Sequence, residues 1–62
     1  MPVSAQTASL KDEGNVLFSK KDYQAAFDKY GAAIVSMKGV TDKKFAAVLY
    51  GNRAACCLSM ER

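Results

Sequence analysis

The dipeptide Gly-Asn occurs twice in this chain, at residues 14–15 and again at residues 51–52. The two copies are 37 residues apart, and each lies in a segment whose apolar residues recur at helical spacing. A repeated helical unit of this size does not bury enough apolar surface by itself, so neighbouring units must pack on each other. The repeat therefore predicts a stack of helices.

Three helices are predicted, near residues 8–20, 23–38 and 42–60. The second helix has the most regular apolar stripe, which is formed by Tyr23, Ala26, Phe27, Tyr30, Ala33, Ile34 and Met37. The third helix is apolar almost all round, which indicates that it contacts neighbours on more than one side.

Polar residues that favour helix N-termini precede each of these segments. Thr7 or Ser9 is expected to cap the first helix, and Asp22 is expected to cap the second. Thr41 and Asp42 are alternative caps for the third helix. In each case a side-chain oxygen can accept a hydrogen bond from a free backbone amide of the first turn.

The composition is that of a folded domain, since half of the residues are apolar and 24% are charged. The net charge of +3 is spread over short basic pairs, which favours acidic partners weakly and gives no basis for nucleic-acid binding. No signal-like segment and no apolar run near 18 residues is found, so we expect a cytoplasmic chain with no membrane partner.

The sequence gives no sign of catalysis or of a cofactor. It lacks histidine, a glycine-rich phosphate loop and a convergent carboxylate pair, so we expect neither an enzyme nor a metal site. Cys56 and Cys57 are adjacent and point about 100° apart on a helix, which favours core packing over a redox or metal pair. The aromatic residues are likewise interpreted as core rather than as a stacking platform for nucleic-acid bases.

The repeat closely resembles the tetratricopeptide repeat, whose usual length is 34 residues. Small and large residues fall on the signature positions of that family, namely Gly14, Leu17, Tyr23, Ala26, Tyr30 and Ala33. The resemblance implies an all-α fold, a tetratricopeptide-repeat helical stack of one helix hairpin plus a third helix. It also implies a repeat module at 8–62, in which repeat one spans 8–40 and repeat two begins at 41–62. Residues 1–7 are small and polar apart from Val3 and have no periodicity, so a disordered leader is expected there.

The chain departs from the family pattern at three positions. Leu10 stands where the family often has tryptophan, Lys38 where it often has proline, and Lys21 where the turn often has glycine. A lysine in a left-handed turn costs about 1–2 kcal/mol, which lowers stability without changing the fold.

The segments around the two Gly-Asn pairs look like the first two repeats of the carboxylate-clamp subfamily. Members of that subfamily are co-chaperones that hold the acidic C-terminal tail, Glu-Glu-Val-Asp, of heat-shock chaperones. Lys11, Asn15 and Asn52 match three of the clamp positions, and ammonium and amide groups are suitable donors to carboxylates. Two further basic clamp residues have no counterpart before Arg62, so weakened binding is expected. The alternative for Lys11 and Asn15 is an ordinary solvated helix face.

The third helix predicts an alternative function in self-association. Its apolar surface would normally be covered by a repeat partner, and an uncovered patch of this kind favours burial. Tyr50, Ala54, Cys57 and Leu58 form the predicted interface of a twofold homodimer. A third alternative is an inert fragment whose full protein supplies the rest.

Overall fold

The computed structural model describes residues 4–38 and 42–61, and within these residues all regular secondary structure is helical. Helix α1 spans Ala5–Ser19, α2 spans Tyr23–Ser36 and α3 spans Lys43–Met60. The prediction of an all-α tetratricopeptide-repeat helical stack, with one hairpin plus a third helix, is confirmed.

Helix α1 begins earlier than predicted, because Ser4 is its N-cap in place of Thr7 or Ser9. The Ser4 hydroxyl accepts a hydrogen bond from the Thr7 backbone amide at 3.1 Å. Thr7 is fully buried, and its hydroxyl lies 2.5 Å from the hydroxyl of Ser36 at the end of α2. Residues 5–7 are therefore helical, which corrects the expectation of a disordered leader there, whereas residues 1–3 lie outside the described residues.

The turn between α1 and α2 is closed by two backbone hydrogen bonds. The Asp22 amide donates to the Leu17 carbonyl and the Lys21 amide donates to the Phe18 carbonyl, both at 2.9 Å. This pair of bonds requires a left-handed residue, and Lys21 has a φ of 66°. The strained lysine turn is thus confirmed, at a cost of about 1–2 kcal/mol.

Aspartates cap the two helices that follow, as predicted. Asp22 accepts a hydrogen bond from the Ala25 amide at 3.4 Å, and Asp42 accepts one from the Phe45 amide at 3.0 Å. The alternative cap, Thr41, lies outside the described residues.

Helix α2 packs against both other helices. It runs antiparallel to α1, since Thr7 meets Ser36 at one end and the Phe18 and Tyr23 rings pack edge to face, 5.2 Å apart, at the other. The buried core lies along α2 and the facing side of α3, and consists of Ala26, Tyr30, Ala33, Met37, Leu49 and Cys56.

Helix α3 is less covered than its composition predicted. Leu49 and Cys56 are fully buried, but Tyr50 is 56% exposed and Leu58 is 62% exposed. The interpretation of the cysteines as core residues is therefore confirmed for Cys56, which is buried, and wrong for Cys57, which is exposed. Among the described residues, only one side of α3 is packed into the core.

Gly14 allows α1 to approach the ring of Tyr30 closely. A Cβ atom added at Gly14 would lie 2.6 Å from Cε1 of Tyr30, well inside van der Waals contact. At Gly51, the equivalent position in the second unit, an added Cβ would meet no described atom within 4 Å. Glycine is therefore required for packing at position 14 of α1, whereas Gly51 of α3 faces open space.

Alanine substitutions at these two glycines should have opposite effects. Gly14→Ala forces the buried Tyr30 ring to move and should lower the free energy of unfolding by about 1–3 kcal/mol. Gly51→Ala should raise it by about 0.5–1 kcal/mol, because alanine favours a helix over glycine. Urea unfolding followed by circular dichroism measures both changes. Equal stabilisation by the two variants would contradict the close packing at Gly14.

Two side chains of this core can lose a proton in alkaline solution, namely the Cys56 thiol and the Tyr30 phenol. Burial raises the pKa of the Cys56 thiol above its ordinary value of 9.0, with a smaller effect from Cys57. Burial also raises the pKa of the Tyr30 phenol above its ordinary value of 10.0, with a smaller effect from Cys56. The folded state is therefore more stable when the thiol and the phenol carry their protons than when they are ionised.

Stability should therefore fall in alkaline solution. Because both pKa values are higher in the folded chain, the unfolded chain loses these protons first, and the free energy of unfolding decreases as pH rises above about 9. Urea unfolding between pH 7 and pH 11 should show a smaller decrease for Cys56→Ala than for the wild type. Cys57→Ala, at an exposed site, is the matched control and should stay close to the wild-type profile, because Cys57 is only the smaller cause of the raised Cys56 pKa. A Cys56→Ala profile parallel to that of the wild type would exclude a contribution from the thiol.

Candidate functional site

The three residues predicted to bind a peptide lie where α1 faces α3. The side-chain amide of Asn52 donates to Oδ1 of Asn15 at 3.5 Å. Lys11 lies one turn before Asn15, and its Nζ is 5.3 Å from the centre of the Phe45 ring. Since Lys11 meets Phe45 and Asn15 meets Asn52, α1 and α3 run in the same direction. The structure brings the two asparagines into contact and puts Lys11 on the same side of the stack.

The Lys11 ammonium is held near the aromatic face of Phe45. A cation at this distance is attracted by the electrons of the ring, and the lysine residue is half-buried. Phe45 belongs to the third helix, for which the sequence predicted only an apolar character almost all round. Its contact with Lys11 depends on how α1 and α3 pack, which helical spacing alone does not reveal.

An open cavity of about 300 Å³ adjoins the two asparagines. Its lining combines polar amides and hydroxyls with aromatic and small residues, namely Asn15, Phe18, Ser19, Tyr30, Asn52 and Ala55. The volume is at the lower end of the range for ligand sites, so it suits a few side-chain or terminal atoms rather than a large cofactor.

Tyr30 takes part in this site, although the sequence identified it only as a packing residue. Its hydroxyl donates to Oδ1 of Asn15 at 2.6 Å, and its side chain is 2% exposed. Because burial raises its pKa, the phenol keeps the proton that it donates at neutral pH. The two residues are on different helices, so the spacing within either helix contained no signal for the contact.

The opposite side of α1 has a different charge pattern. The Glu13 carboxylate pairs there with the Lys29 ammonium at 3.6 Å. A second cavity, of about 460 Å³, lies beside this ion pair and is lined by Ser9, Asp12, Glu13, Val16, Leu17 and Lys29. Its two carboxylates make it a poor site for another anion. Lys11 and Asn15, the donors predicted on α1, lie instead on the side of α1 that faces α3.

The residues predicted to form a homodimer share the uncovered side of α3. Tyr50 and Leu58 are more than half exposed, and the small residues Ala54 and Cys57 are exposed with them. Arg53 is directed towards α2, where its guanidinium lies 4.8 Å from the centre of the Phe27 ring. The uncovered side is therefore mostly apolar.

Within residues 4–38 and 42–61, no group of His, Cys, Asp and Glu side chains is arranged to hold a metal ion. In the same part of the chain, no helix has both the length and the apolar character needed to cross a bilayer.

Comparison with curated proteins finds relatives along most of the chain. It is 49% identical over 57 residues to "Protein unc-45 homolog B" of Mus musculus, covering 92% of this chain and 6% of that protein. It is 44% identical over 52 residues to "Dynein axonemal assembly factor 4" of Rattus norvegicus, covering 84% of this chain and 11% of that protein. It is 44% identical over 50 residues to "Heat shock protein sti1 homolog" of Schizosaccharomyces pombe, covering 81% of this chain and 7% of that protein.

The chain thus spans only a small part of the length of these relatives. No model of a protein family matches it, and no solved structure matches it. The relatives are proteins that contain tetratricopeptide repeats, and the three-helix stack has the fold of such repeats. The chain therefore has an all-α helical stack like that of tetratricopeptide repeats, and it is similar to one short segment of each of these longer proteins.

Proposed function

We propose that this chain is a protein-interaction module of the co-chaperone type, in which the groove between α1 and α3 binds the acidic C-terminal tail of a heat-shock chaperone. In this proposal α1 and α2 form the first repeat, spanning 8–40, and α3 begins the second, at 41–62. The names of the relatives support a role beside chaperones, since one is a heat shock protein homologue and another is an assembly factor. A cytoplasmic location is part of the same proposal.

The observation that carries the proposal is the meeting of Asn15 and Asn52 beside an open cavity, with Lys11 on the same side. Amide and ammonium groups are hydrogen-bond donors, and their bonds to ionised carboxylates are stronger than bonds between neutral groups. The C-terminal aspartate of a Glu-Glu-Val-Asp tail has two carboxylates on one residue. These suit a cluster of donors drawn from two adjacent helices.

The charge distribution favours the same ligand. The net charge is +3, and the carboxylates of Asp12 and Glu13 line a cavity on the other side of α1. An acidic peptide is therefore attracted to the chain as a whole and repelled from that second cavity. The Phe18 ring, which lines the cavity and is partly exposed, adds apolar surface for the valine before the terminal aspartate.

The expected affinity is low. A hydrogen bond to a charged group contributes roughly 1.5–3 kcal/mol, and part of this is offset by the ordering of the peptide and the lysine side chain. Three donors of this kind correspond to a dissociation constant of about 0.1 mM or weaker. The proposal contains no catalytic step and no cofactor.

The first test is titration of a labelled peptide ending in Glu-Glu-Val-Asp, monitored by fluorescence anisotropy. The peptide with a free C-terminus should bind more tightly than the same peptide amidated at its C-terminus. Lys11→Ala should weaken binding about tenfold or more, because it removes the charged donor. Binding should also weaken as salt concentration rises, since the groove is open and its charges are screened.

Lys38→Ala is the matched control, because it removes the same charge from an exposed residue just past the end of α2. It should change the affinity only slightly. If Lys11→Ala and Lys38→Ala reduce binding equally, and the amidated peptide binds as well as the free one, the surface is merely basic and the clamp assignment fails.

Homodimerisation through α3 is a second candidate function. The observation that favours it is the uncovered face of α3, where Tyr50 and Leu58 are exposed beside Ala54 and Cys57. The open space at Gly51 lies on the same helix, and a second helix can approach closely there. Twofold pairing would cover equivalent faces of two copies in one closed contact.

Self-association is tested by sedimentation equilibrium from micromolar to millimolar concentration. The wild type should change from monomer to dimer across this range, and Leu58→Glu should remain monomeric because it places a charge in the apolar face. Val35→Glu is the matched control, since Val35 is 76% exposed on α2 and lies outside the predicted interface. A wild-type chain that is monomeric at millimolar concentration contradicts the dimer.

A further inference from the structure

We infer that Tyr30 is a positioning residue, whose hydroxyl fixes the Asn15 side chain so that its NH₂ group, rather than its carbonyl oxygen, faces an incoming carboxylate. The inference rests on the proposed function, because the carboxylate is that of the bound peptide. It adds a residue of α2, which lies behind the groove, to a site formed by α1 and α3.

The hydrogen bond from Tyr30 determines which end of the Asn15 amide faces inward. The phenol is 2% exposed and donates to Oδ1 of Asn15 at 2.6 Å. A buried hydroxyl that lacks an acceptor is unfavourable, and Oδ1 is the acceptor that Tyr30 has within the described part of the chain. Rotating the amide by half a turn would put NH₂ against the phenol and leave the phenolic proton without an acceptor.

Asn52 donates a second, longer hydrogen bond to the same oxygen. Its Nδ2 is 3.5 Å from Oδ1 of Asn15, so this contact agrees with the orientation that the bond from Tyr30 determines. With Oδ1 turned towards these two donors, the Asn15 NH₂ group is the part of the side chain left for a ligand. Asn15 is itself exposed and lines the cavity, so this NH₂ group is accessible.

The consequence is selectivity between a carboxylate and a carboxamide. A fixed NH₂ donor favours a carboxylate, which only accepts hydrogen bonds, whereas an amide that rotates freely can adapt to either group. A side chain that is already oriented also loses less conformational entropy when the peptide binds. Tyr30 should therefore affect both the affinity for the free peptide and the preference for it over the amidated peptide.

The main test compares Tyr30→Phe with the wild type, using Glu-Glu-Val-Asp peptides that are free or amidated at the C-terminus. Phenylalanine keeps the ring that packs on Gly14 and removes only the hydroxyl. The affinity for the free peptide should fall about threefold to tenfold, as expected for the loss of one hydrogen bond, and that for the amidated peptide should change less. Tyr23→Phe, which removes a hydroxyl from the same helix, is the control and should keep the wild-type preference.

A second measurement does not depend on the folding of Tyr30→Phe. In the wild-type chain without peptide, ¹⁵N relaxation of the Asn15 NH₂ group should show restricted motion compared with the exposed side chain of Gln6. Equal mobility of the two side chains overturns the inference, as does an unchanged preference in folded Tyr30→Phe when the wild type prefers the free peptide. If the wild type does not distinguish the two peptides, the proposed function fails, and the role of Asn15 as a donor to carboxylate fails with it.

Discussion

The close approach of Gly14 to the ring of Tyr30 is the contact on which the rest of the structure depends. It lets α1 lie against α2 without an intervening side chain, which brings the Tyr30 hydroxyl to Asn15 on the side of α1 that faces α3. A larger residue at position 14 would displace the ring and, with it, the hydroxyl. Backbone packing and side-chain orientation in the groove are therefore linked through one aromatic residue.

Much of the fold could be predicted from residue spacing. The apolar stripe of the second helix, the caps Asp22 and Asp42 and the left-handed Lys21 are local features, determined by a few neighbouring residues, and the structure has each of them. The predicted start of α1 was wrong, because Thr7 looks like a helix cap whereas the cap is Ser4, a local feature of the chain. The burial of Thr7 against Ser36 could not be predicted from spacing, since that contact requires α2 to be in place.

The candidate site could be predicted only in part. The matching Gly-Asn pairs led to Asn15 and Asn52, because the repeat puts them at equivalent points on two adjacent helices. The contact of Lys11 with Phe45 and the bond from Tyr30 to Asn15 depend on distances between helices. A periodic pattern indicates which side of one helix is apolar, but these contacts depend on the distance and orientation between two helices.

The contact between Thr7 and Ser36 has a consequence for how the hairpin opens. It joins the first turn of α1 to the last turn of α2, at the end opposite the Lys21 turn, across 29 residues of sequence. Helix ends ordinarily fray independently, and their amides exchange with solvent early. Here the start of α1 cannot separate from α2 without exposing a buried threonine, so the two ends should open together. The two helices of the hairpin are then expected to open as one cooperative unit.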